Sequence, residues 1–309
     1  MDNVIVIGSG VAGIAVSIRL AKLGFKVKVF EANSFPGGKL SNFKLGKYRF
    51  DYGPSLFTMP ELVKDLFSIC DEDISKFFQY KRKEVSCNYF WEDGVTIKSF
   101  FDKKKFTNEI SSNLNVDEKT ILKYMNKSKI KYDLTESIFL KKSLHDYRNL
   151  FNKQTFKAIL NIKKLDLNKT LHQVNQYQLK EKHLVQMFDR YATYNGSNPY
   201  KTSGIMSLIQ HLENNIGTFI PKKGMVEITN SLFKLAKRQG VEFLFNSRIN
   251  KIVTKDNKVQ GVNSNGKFYE SNILVSNSDV YYTYKKLLGD KKLGYSNTVE
   301  TNNTTYVSN

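Results

Sequence analysis

The chain has 309 residues, and its 40% hydrophobic and 13% aromatic content is typical of a globular protein and excludes a mostly disordered one. The formal net charge is +19, which favours acidic lipid headgroups, phosphate-bearing ligands or nucleic acid. The lysines are scattered and no nucleic-acid motif is recognisable, so we predict no nucleic-acid partner. The same charge is also typical of a lysine-rich composition spread over solvated surfaces.

Neither the cysteines nor the histidines predict a metal site. Cys70 and Cys87 form no CxxC pair, and the four histidines form no HExxH or comparable cluster. No secretory signal is recognisable, because the apolar residues 4–7 run directly into glycines. No apolar run approaches the roughly 20 residues of a bilayer-spanning helix. The sequence therefore predicts a cytoplasmic protein that meets a membrane only peripherally, on its inner face.

The first 30 residues predict a βαβ unit. Residues 4–7 are continuously apolar, which is typical of a buried parallel strand. Residues 11–23 have the spacing of a helix, and Gly24 follows its end. Residues 26–30 alternate lysine with valine and predict a second strand.

The middle of the chain predicts a hairpin followed by helices. Asp93-Gly94 lies between two apolar runs and indicates a type I′ turn within a hairpin over residues 89–100. Residues 117–183 are rich in Lys and Asn, with helical spacing in places.

A second α/β segment follows. Residues 225–239 predict an amphipathic helix ended by Gly240, and residues 241–245 predict a strand. Residues 249–275 predict an antiparallel meander with turns at Asp256-Asn257 and Asn265-Gly266.

The first βα turn carries a phosphate-binding pattern. Gly8, Gly10 and Gly13 form a GxGxxG motif between the predicted strand and helix. Gly8 permits the tight turn, Gly10 a close backbone approach to a pyrophosphate, and Gly13 close packing of helix on strand. The helix N-terminus adds free N–H groups and a positive dipole end.

An acidic residue and a glycine pair narrow the kind of dinucleotide. Glu31 closes the second strand, and a carboxylate there suits the two ribose hydroxyls of adenosine. Gly37-Gly38 follows a few residues later, and the pair resembles the pattern of two-dinucleotide-binding flavoproteins, although an ordinary turn is the alternative. Lys39 either approaches the phosphates or is solvated.

Longer stretches make the resemblance specific. Residues 31–40 (EANSFPGGKL) and 50–60 (FDYGPSLFTMP) resemble the opening of the bacterial phytoene-type carotenoid desaturases. Residues 190–200 (RYATYNGSNPY) and 221–225 (PKKGM) resemble later stretches of the same family. The resemblance runs over most of residues 1–288. Within the family, the sequence is close to those of members that act on hydroxylated or acyclic carotenoids.

The resemblance implies an α/β fold: an FAD-binding, Rossmann-like domain of the two-dinucleotide-binding flavoprotein type, with an inserted α+β substrate domain. The implied boundaries are 1–85 with 220–288 for the FAD domain, 86–219 for the insertion and 289–309 for an irregular tail. Gly8–Gly13 would face the pyrophosphate, Glu31 the ribose and Ile249 the adenine. The implied cofactor-binding residues are Gly8, Ser9, Gly10, Val11, Ala12, Gly13, Glu31, Ala32, Gly37, Gly38, Lys39, Gly53, Pro54, Ser55 and Ile249.

The implied activity is FAD-dependent desaturation of a long isoprenoid, in which a hydride leaves the substrate and the flavin accepts it. No catalytic residue is identified, because Asp189, Arg190, His211 and Glu213 are each more typical of a structural role. The implied partners are a lipophilic carotenoid and an anionic membrane surface.

One departure from the family keeps alternatives open. Family members continue past residue 309, whereas this chain changes to a polar tail after residue 288. We therefore expect a C-terminally shortened chain, with a catalytically inactive remnant as one alternative. A different flavin oxidoreductase, such as an amine oxidase relative, is a second alternative that would share only the cofactor domain.

Overall fold

The computed structural model describes residues 2–139 and 151–289. The chain divides into two compact units, one of residues up to 81 together with those from 219 onward, and one of residues 82–218. Assignment of the units to cofactor and substrate stays a prediction. The predicted tail lies outside the described residues, apart from Gly289.

Strands predominate in the described part of the first unit, and helices predominate in that of the second. The strands in the described residues are β1 (Asn3–Ile7), β2 (Lys26–Phe30), β3 (Ser41–Leu45), β4 (Tyr48–Tyr52), β5 (Tyr80–Arg82), β6 (Val85–Phe90), β7 (Thr96–Phe100), β8 (Phe219–Pro221), β9 (Glu242–Leu244), β10 (Ile249–Lys255), β11 (Lys258–Ser264), β12 (Lys267–Glu270) and β13 (Ile273–Ser276). The helices there are α1 (Val11–Lys22), α2 (Glu61–Ser68), α3 (Lys103–Leu114), α4 (Glu118–Phe139), α5 (Lys153–Leu160), α6 (Leu171–Leu179), α7 (Lys182–Asp189), α8 (Val226–Arg238) and α9 (Val280–Tyr282).

A parallel sheet in the order β13-β1-β2-β9 forms the centre of the first unit. The alternating faces of β1 serve two different layers. Val4 and Val6 pack with residues of α1 and α8, whereas Ile5 and Ile7 pack with residues of β10 and β11. The sheet is therefore covered by helices on one face and by an antiparallel sheet on the other, which confirms the predicted α/β class and the βαβ unit.

The predicted meander is confirmed only as far as β12. Both turns have the positive φ angles of type I′ turns, 50° and 59° at Asp256-Asn257 and 48° and 74° at Asn265-Gly266. The prediction that the meander continues to residue 275 is wrong, because β13 leaves it and pairs in parallel with β1. The Ser271 hydroxyl donates to the Asn3 carbonyl at 2.8 Å and fixes the point of departure.

The predicted hairpin is confirmed as β6 and β7, but its predicted turn type is wrong. The Gly94 amide donates to the Trp91 carbonyl at 3.0 Å, so Glu92 and Asp93 are the central turn residues. Only Gly94 within this turn has a positive φ, 86°. This arrangement matches a type I turn followed by a left-handed glycine, and it leaves the Asp93 carboxylate free to accept from the Val95 amide at 3.3 Å.

The second unit buries a charged side chain among its helices. Lys131 on α4 is 1% exposed, and its ammonium lies 2.7 Å from a carboxylate oxygen of Asp166. The ammonium also donates to the Ser207 hydroxyl at 2.7 Å and to the Gly204 carbonyl at 3.2 Å. Burial lowers the pKa of Lys131, and these oxygens compensate the lost hydration of the ammonium.

No helix in residues 2–139 or 151–289 is long and apolar enough to cross a membrane.

The buried pair Lys131–Asp166 predicts different losses of stability when one or the other side chain is replaced. Asp166→Asn leaves a buried ammonium without its counter-charge, so we expect it to lower the free energy of unfolding by about 3 kcal/mol. Lys131→Met leaves a carboxylate that is 21% exposed and reaches water, so its loss is expected to be smaller. Urea denaturation followed by circular dichroism measures both.

The exposed pair Lys129–Asp133 on the same helix is the matched control. Asp133→Asn is expected to change stability by about 0.5 kcal/mol or less. Equal losses for Asp166→Asn and Asp133→Asn would contradict the structural importance of the buried pair.

Candidate functional site

The glycines of the first βα turn bring helix α1 into direct contact with strand β1. The Gly8 amide donates to the Phe30 carbonyl at 2.8 Å, and the φ of Gly8 is 91°. A Cβ at Gly13 would lie 2.1 Å from the Gly8 carbonyl oxygen. Any side chain at position 13 would therefore push the helix off the sheet, in agreement with the role predicted for this glycine.

Gly10 is the N-cap residue of helix α1, so the helix has no side-chain cap, and its first turn contains no acidic residue. The first amides of a helix have no partner within the helix, so those of the first turn remain able to donate to an anion. Among the described residues, a Cβ at Gly10 would come within 4 Å only of the Asn277 side-chain nitrogen, at 2.9 Å. The backbone of this turn is therefore close to the surface that a pyrophosphate would occupy.

The glycine pair Gly37-Gly38 lies against the first βα turn. The Gly37 amide donates to the Ser9 carbonyl at 2.8 Å, and Gly10 and Gly37 form an isolated parallel bridge. A Cβ at Gly38 would lie 3.3 Å from the Cα of Gly10. The structure thus brings two of the predicted segments together, although 23 or more residues separate them in the sequence.

Gly37 is fixed by its packing as well as by its backbone angle. Its φ is 114°, and a Cβ there would lie 2.3 Å from the Leu40 carbonyl oxygen and 2.8 Å from Thr229 on α8. The Thr229 hydroxyl also donates to the Leu40 carbonyl at 2.9 Å. Helix α8 therefore holds the glycine pair in place, a contact that sequence reasoning did not predict.

Glu31 is buried at the carboxyl end of β2, with 5% of its surface exposed. One carboxylate oxygen accepts from the Ser9 amide and the Ser9 hydroxyl, each at 2.8 Å. The other accepts from the Asn33 amide at 2.8 Å. A carboxylate has about four acceptor positions, so one remains for a ligand hydroxyl. Ala32 follows at the same edge and is partly buried.

Ile249 lies near Glu31 because of the backbone that precedes it. The Ser247 amide donates to the Glu31 carbonyl at 2.8 Å, and Ile249 begins β10 two residues later with 4% of its surface exposed. The side chain packs with Ile5, Ile7 and Phe30. Its side chain is therefore enclosed, and the predicted contact with adenine would have to be made through the backbone.

The predicted cofactor-binding segment of residues 53–55 adjoins Lys39. A Cβ at Gly53 would lie 1.7 Å from the Lys39 carbonyl oxygen, and the φ of Gly53 is 103°. Lys39, Pro54 and Ser55 are exposed. The structure thus places Gly53 beside the glycine pair, with Pro54 and Ser55 following at the surface.

Asn277 is a site residue that sequence reasoning missed. Its amide donates to the Ile7 carbonyl at 2.8 Å, and its side-chain nitrogen would lie 2.9 Å from a Cβ at Gly10 and at Gly13. It directly follows β13, whose carboxyl end lies beside that of β1. Its position after a parallel strand could have identified it, if β13 had not been assigned to the meander.

These features fit the FAD predicted for the site. Glycines leave the helix start open, the dipole of α1 favours a pyrophosphate, and Glu31 retains an acceptor for a ribose hydroxyl. The same unit also contains a pocket of about 320 Å³ beside β13. None of the predicted cofactor-binding residues lines that pocket, although Ser276 and Ser278, the neighbours of Asn277, do.

Two acid–base candidates of the second unit form a closed pair. A terminal nitrogen of Arg190 donates to both carboxylate oxygens of Glu213, at 2.6 and 2.8 Å, and its Nε donates to the Tyr89 hydroxyl at 2.9 Å. The Tyr194 hydroxyl donates to the same carboxylate at 2.6 Å. Burial raises the pKa of both tyrosines. Glu213 is 1% exposed, so this network is typical of a structural role.

The other two candidates also have partners. The Asp189 carboxylate lies 2.7 Å from Nδ1 of His172 and accepts from the Asn175 amide at 2.8 Å. Nδ1 of His211 lies 2.6 Å from the Asn215 amide nitrogen, and burial lowers the pKa of His211. These bonds agree with the structural role predicted for both residues.

Comparison with known proteins gives a family and several relatives. The family described as flavin containing amine oxidoreductase matches residues 11–288. A 1-hydroxycarotenoid 3,4-desaturase from Flavobacterium sp. (strain P99-3) is 46% identical over 292 residues, which are 94% of this chain and 59% of the relative. A 4,4'-diaponeurosporene oxygenase from Staphylococcus aureus (strain USA300) is 29% identical, over 93% of this chain and 57% of the relative. The chain thus spans about three fifths of the length of these relatives.

Solved structures share the fold. An oxidoreductase from Methanosarcina mazei has a TM-score of 0.61 at 15% identity, covering 94% of this chain and 62% of the other. Cyclohexylamine oxidase from Brevibacterium oxydans IH-35A has a TM-score of 0.61 at 15% identity, covering 95% and 61%.

The hydrogen bonds of Glu31 predict a loss of stability on conversion to an amide. Glu31→Gln turns an amide nitrogen toward N–H donors that now face a carboxylate, so we expect the free energy of unfolding to fall by about 3 kcal/mol. Thermal or urea denaturation measures the change.

Asp73 provides the matched control, because it also accepts from a serine amide and hydroxyl, those of Ser75 at 2.9 and 2.8 Å, but is exposed. Asp73→Asn is expected to have a much smaller effect. A Glu31→Gln protein as stable as the parent would show that these bonds are unimportant.

Proposed function

The chain belongs to the flavin containing amine oxidoreductase family, and we propose that it acts as an FAD-dependent carotenoid desaturase on a 1-hydroxycarotenoid. The observation that carries the proposal is the 46% identity with a 1-hydroxycarotenoid 3,4-desaturase over 94% of the chain. That match necessarily includes most of residues 82–218, which form the second unit. An oxidoreductase that shared only the cofactor domain would not match there.

In this proposal the first unit holds FAD along the carboxyl edge of its sheet. The amides at the start of α1 bind the pyrophosphate, and Glu31 accepts a hydrogen bond from the adenosine ribose. The backbone at Ile249 contacts the adenine, and the segment of Gly53 lies toward the flavin ring. When bound, FAD supplies the acceptor for a hydride from the substrate.

The second unit is proposed to bind and orient the polyene. A hydride lost next to conjugated double bonds leaves a delocalised positive charge, which acidifies the neighbouring C–H bond. Loss of that proton to a weak base such as water then forms the double bond, so desaturation needs orientation more than a strong base. The buried partners of Asp189, Arg190 and Glu213 agree with this, since none of the three is available to move a proton from a substrate.

A carotenoid dissolves in lipid, so the proposed enzyme must collect its substrate at a membrane. The net charge of +19 favours an anionic leaflet, and each basic residue near such a surface contributes about 1 kcal/mol. We therefore propose a peripheral membrane protein on the cytoplasmic face.

Cofactor binding separates the proposal from an inactive remnant. We expect the purified chain, mixed with FAD, to show the visible absorption bands of bound flavin. Gly10→Ala is expected to weaken FAD binding at least about tenfold, because the new methyl group stands where the pyrophosphate approaches. The φ of Gly10 is −62°, so the backbone accepts alanine, and the new Cβ requires only that the Asn277 side-chain amide, 2.9 Å away, shifts.

Gly24→Ala is the control for a change that lowers stability without touching the FAD site. Its φ of 92° makes alanine unfavourable, but a Cβ there lies within 4 Å of no residue that the structure describes. We expect lower stability with unchanged FAD affinity. A chain that cannot be loaded with FAD under any condition would favour the remnant.

The substrate is tested with the FAD-loaded protein. Incubation with a 1-hydroxycarotenoid in lipid vesicles is expected to give a product with one more conjugated double bond, detected by its longer-wavelength absorption after chromatography. The matching carotenoid without the hydroxyl group is the control. Turnover of an amine with no change in either carotenoid would favour an amine oxidase instead.

A further inference from the structure

Helix α5 exposes its apolar side chains and buries its small ones. Thr155 and Ala158 are buried, each with 7% of its surface exposed. Phe156, Ile159 and Leu160, spaced i, i+3 and i+4, lie on one side of the helix and are 63%, 58% and 70% exposed. A surface helix of a globular protein normally has the reverse arrangement.

Exposed apolar side chains also precede and follow the helix in the chain. Phe151 precedes α5 and is 84% exposed, and Ile162 and Leu167 follow it at 50% and 48%. We call these six side chains the α5 patch: Phe151, Phe156, Ile159, Leu160, Ile162 and Leu167. Large apolar residues are often exposed singly, but six within 17 residues form a cluster that indicates an interaction surface.

The charges within this segment have one sign. Lys153, Lys157, Lys163 and Lys164 are all exposed, and residues 151–165 contain no Asp or Glu. The next acidic residue, Asp166, is paired with the buried Lys131. The partner of the α5 patch must therefore accept apolar side chains and carry negative charge beside them.

We propose that the α5 patch inserts into the headgroup region of an anionic bilayer and anchors the protein there. An interfacial helix places Phe, Leu and Ile among the acyl chains while lysines reach the phosphates. The proposed anchor rests on the proposed function, because an enzyme with a lipid-soluble substrate must dock on the membrane that contains it. It identifies which part of the second unit makes the contact.

Vesicle binding by apolar variants is the first test. Partitioning onto phosphatidylglycerol–phosphatidylcholine vesicles is measured by flotation for the full chain and for Phe156→Ser with Leu160→Ser. We expect the double variant to partition at least about tenfold more weakly, because two large apolar side chains no longer enter the bilayer.

The matched control makes the same two changes elsewhere. Leu23 and Phe90 are 74% and 76% exposed, and Leu23→Ser with Phe90→Ser is expected to reduce partitioning less than about twofold. An equal loss for both double variants would overturn the α5 patch as the anchor.

The lysines are tested with two variants that have the same net charge as each other. Gln is substituted at four patch lysines or at four exposed control lysines in β10–β12; the two sets are Lys153, Lys157, Lys163 and Lys164, and Lys251, Lys255, Lys258 and Lys267. We expect a loss of at least about tenfold for the patch set only, and only on anionic vesicles. Equal losses would assign binding to overall charge and overturn the proposal.

Two further measurements complete the test. One distinguishes a bilayer from a second copy of the chain as the partner of the α5 patch, and the other separates the anchor proposal from the proposed desaturase function. Size-exclusion chromatography without lipid detects a second copy on the patch, and a dimer that Phe156→Ser with Leu160→Ser converts to a monomer would overturn a bilayer partner. FAD absorption is expected to be the same in all these variants. Loss of vesicle binding with FAD retained supports the anchor, whereas a chain that binds vesicles through the patch without FAD would retain the anchor and reject the desaturase.

Discussion

The contact between Gly13 and the Gly8 carbonyl sets the geometry on which the first unit depends. The helix backbone lies so close to the strand that a Cβ would be 2.1 Å from the carbonyl oxygen. This approach places the positive end of α1 at the carboxyl edge of the sheet. Gly37 then bonds to Ser9, and the Glu31 carboxylate accepts from the same residue. One close backbone contact thereby brings the glycine pair and the acidic residue to one place.

The two units use polar groups for different purposes. In the first, the carboxylate of Glu31 and the amides of α1 retain bonding capacity at the edge of a sheet, which suits a site for a charged ligand. In the second, Arg190 and Glu213 bond to each other and to tyrosines. Buried networks of this kind fix a single packing arrangement but leave no group free for proton transfer. The chemistry proposed for the second unit therefore depends on shape and on its apolar surfaces.

Local patterns predicted the elements that local forces determine. The alternation of valine and lysine in residues 26–30 and the glycine after α1 correctly gave β2 and the end of the helix. The hairpin around Gly94 was found, but its turn was not, because Asp93 and Gly94 suit two turn types and the choice depends on strand register. The strand Ile273–Ser276 was predicted, but its partner was not, since a parallel neighbour is distant in sequence.

The sequence by itself determined the βαβ unit, the phosphate-binding turn and the family resemblance, because each depends on residue type at short spacing. Only the tertiary structure decided which distant groups meet: Asn277 at the turn, Thr229 behind Gly37, and the orientation of α5. From spacing alone, Phe156 and Leu160 are equally compatible with a core. These side chains point outward because Thr155 and Ala158 pack inward. The spacing of residues along a helix does not reveal which face such long-range packing buries.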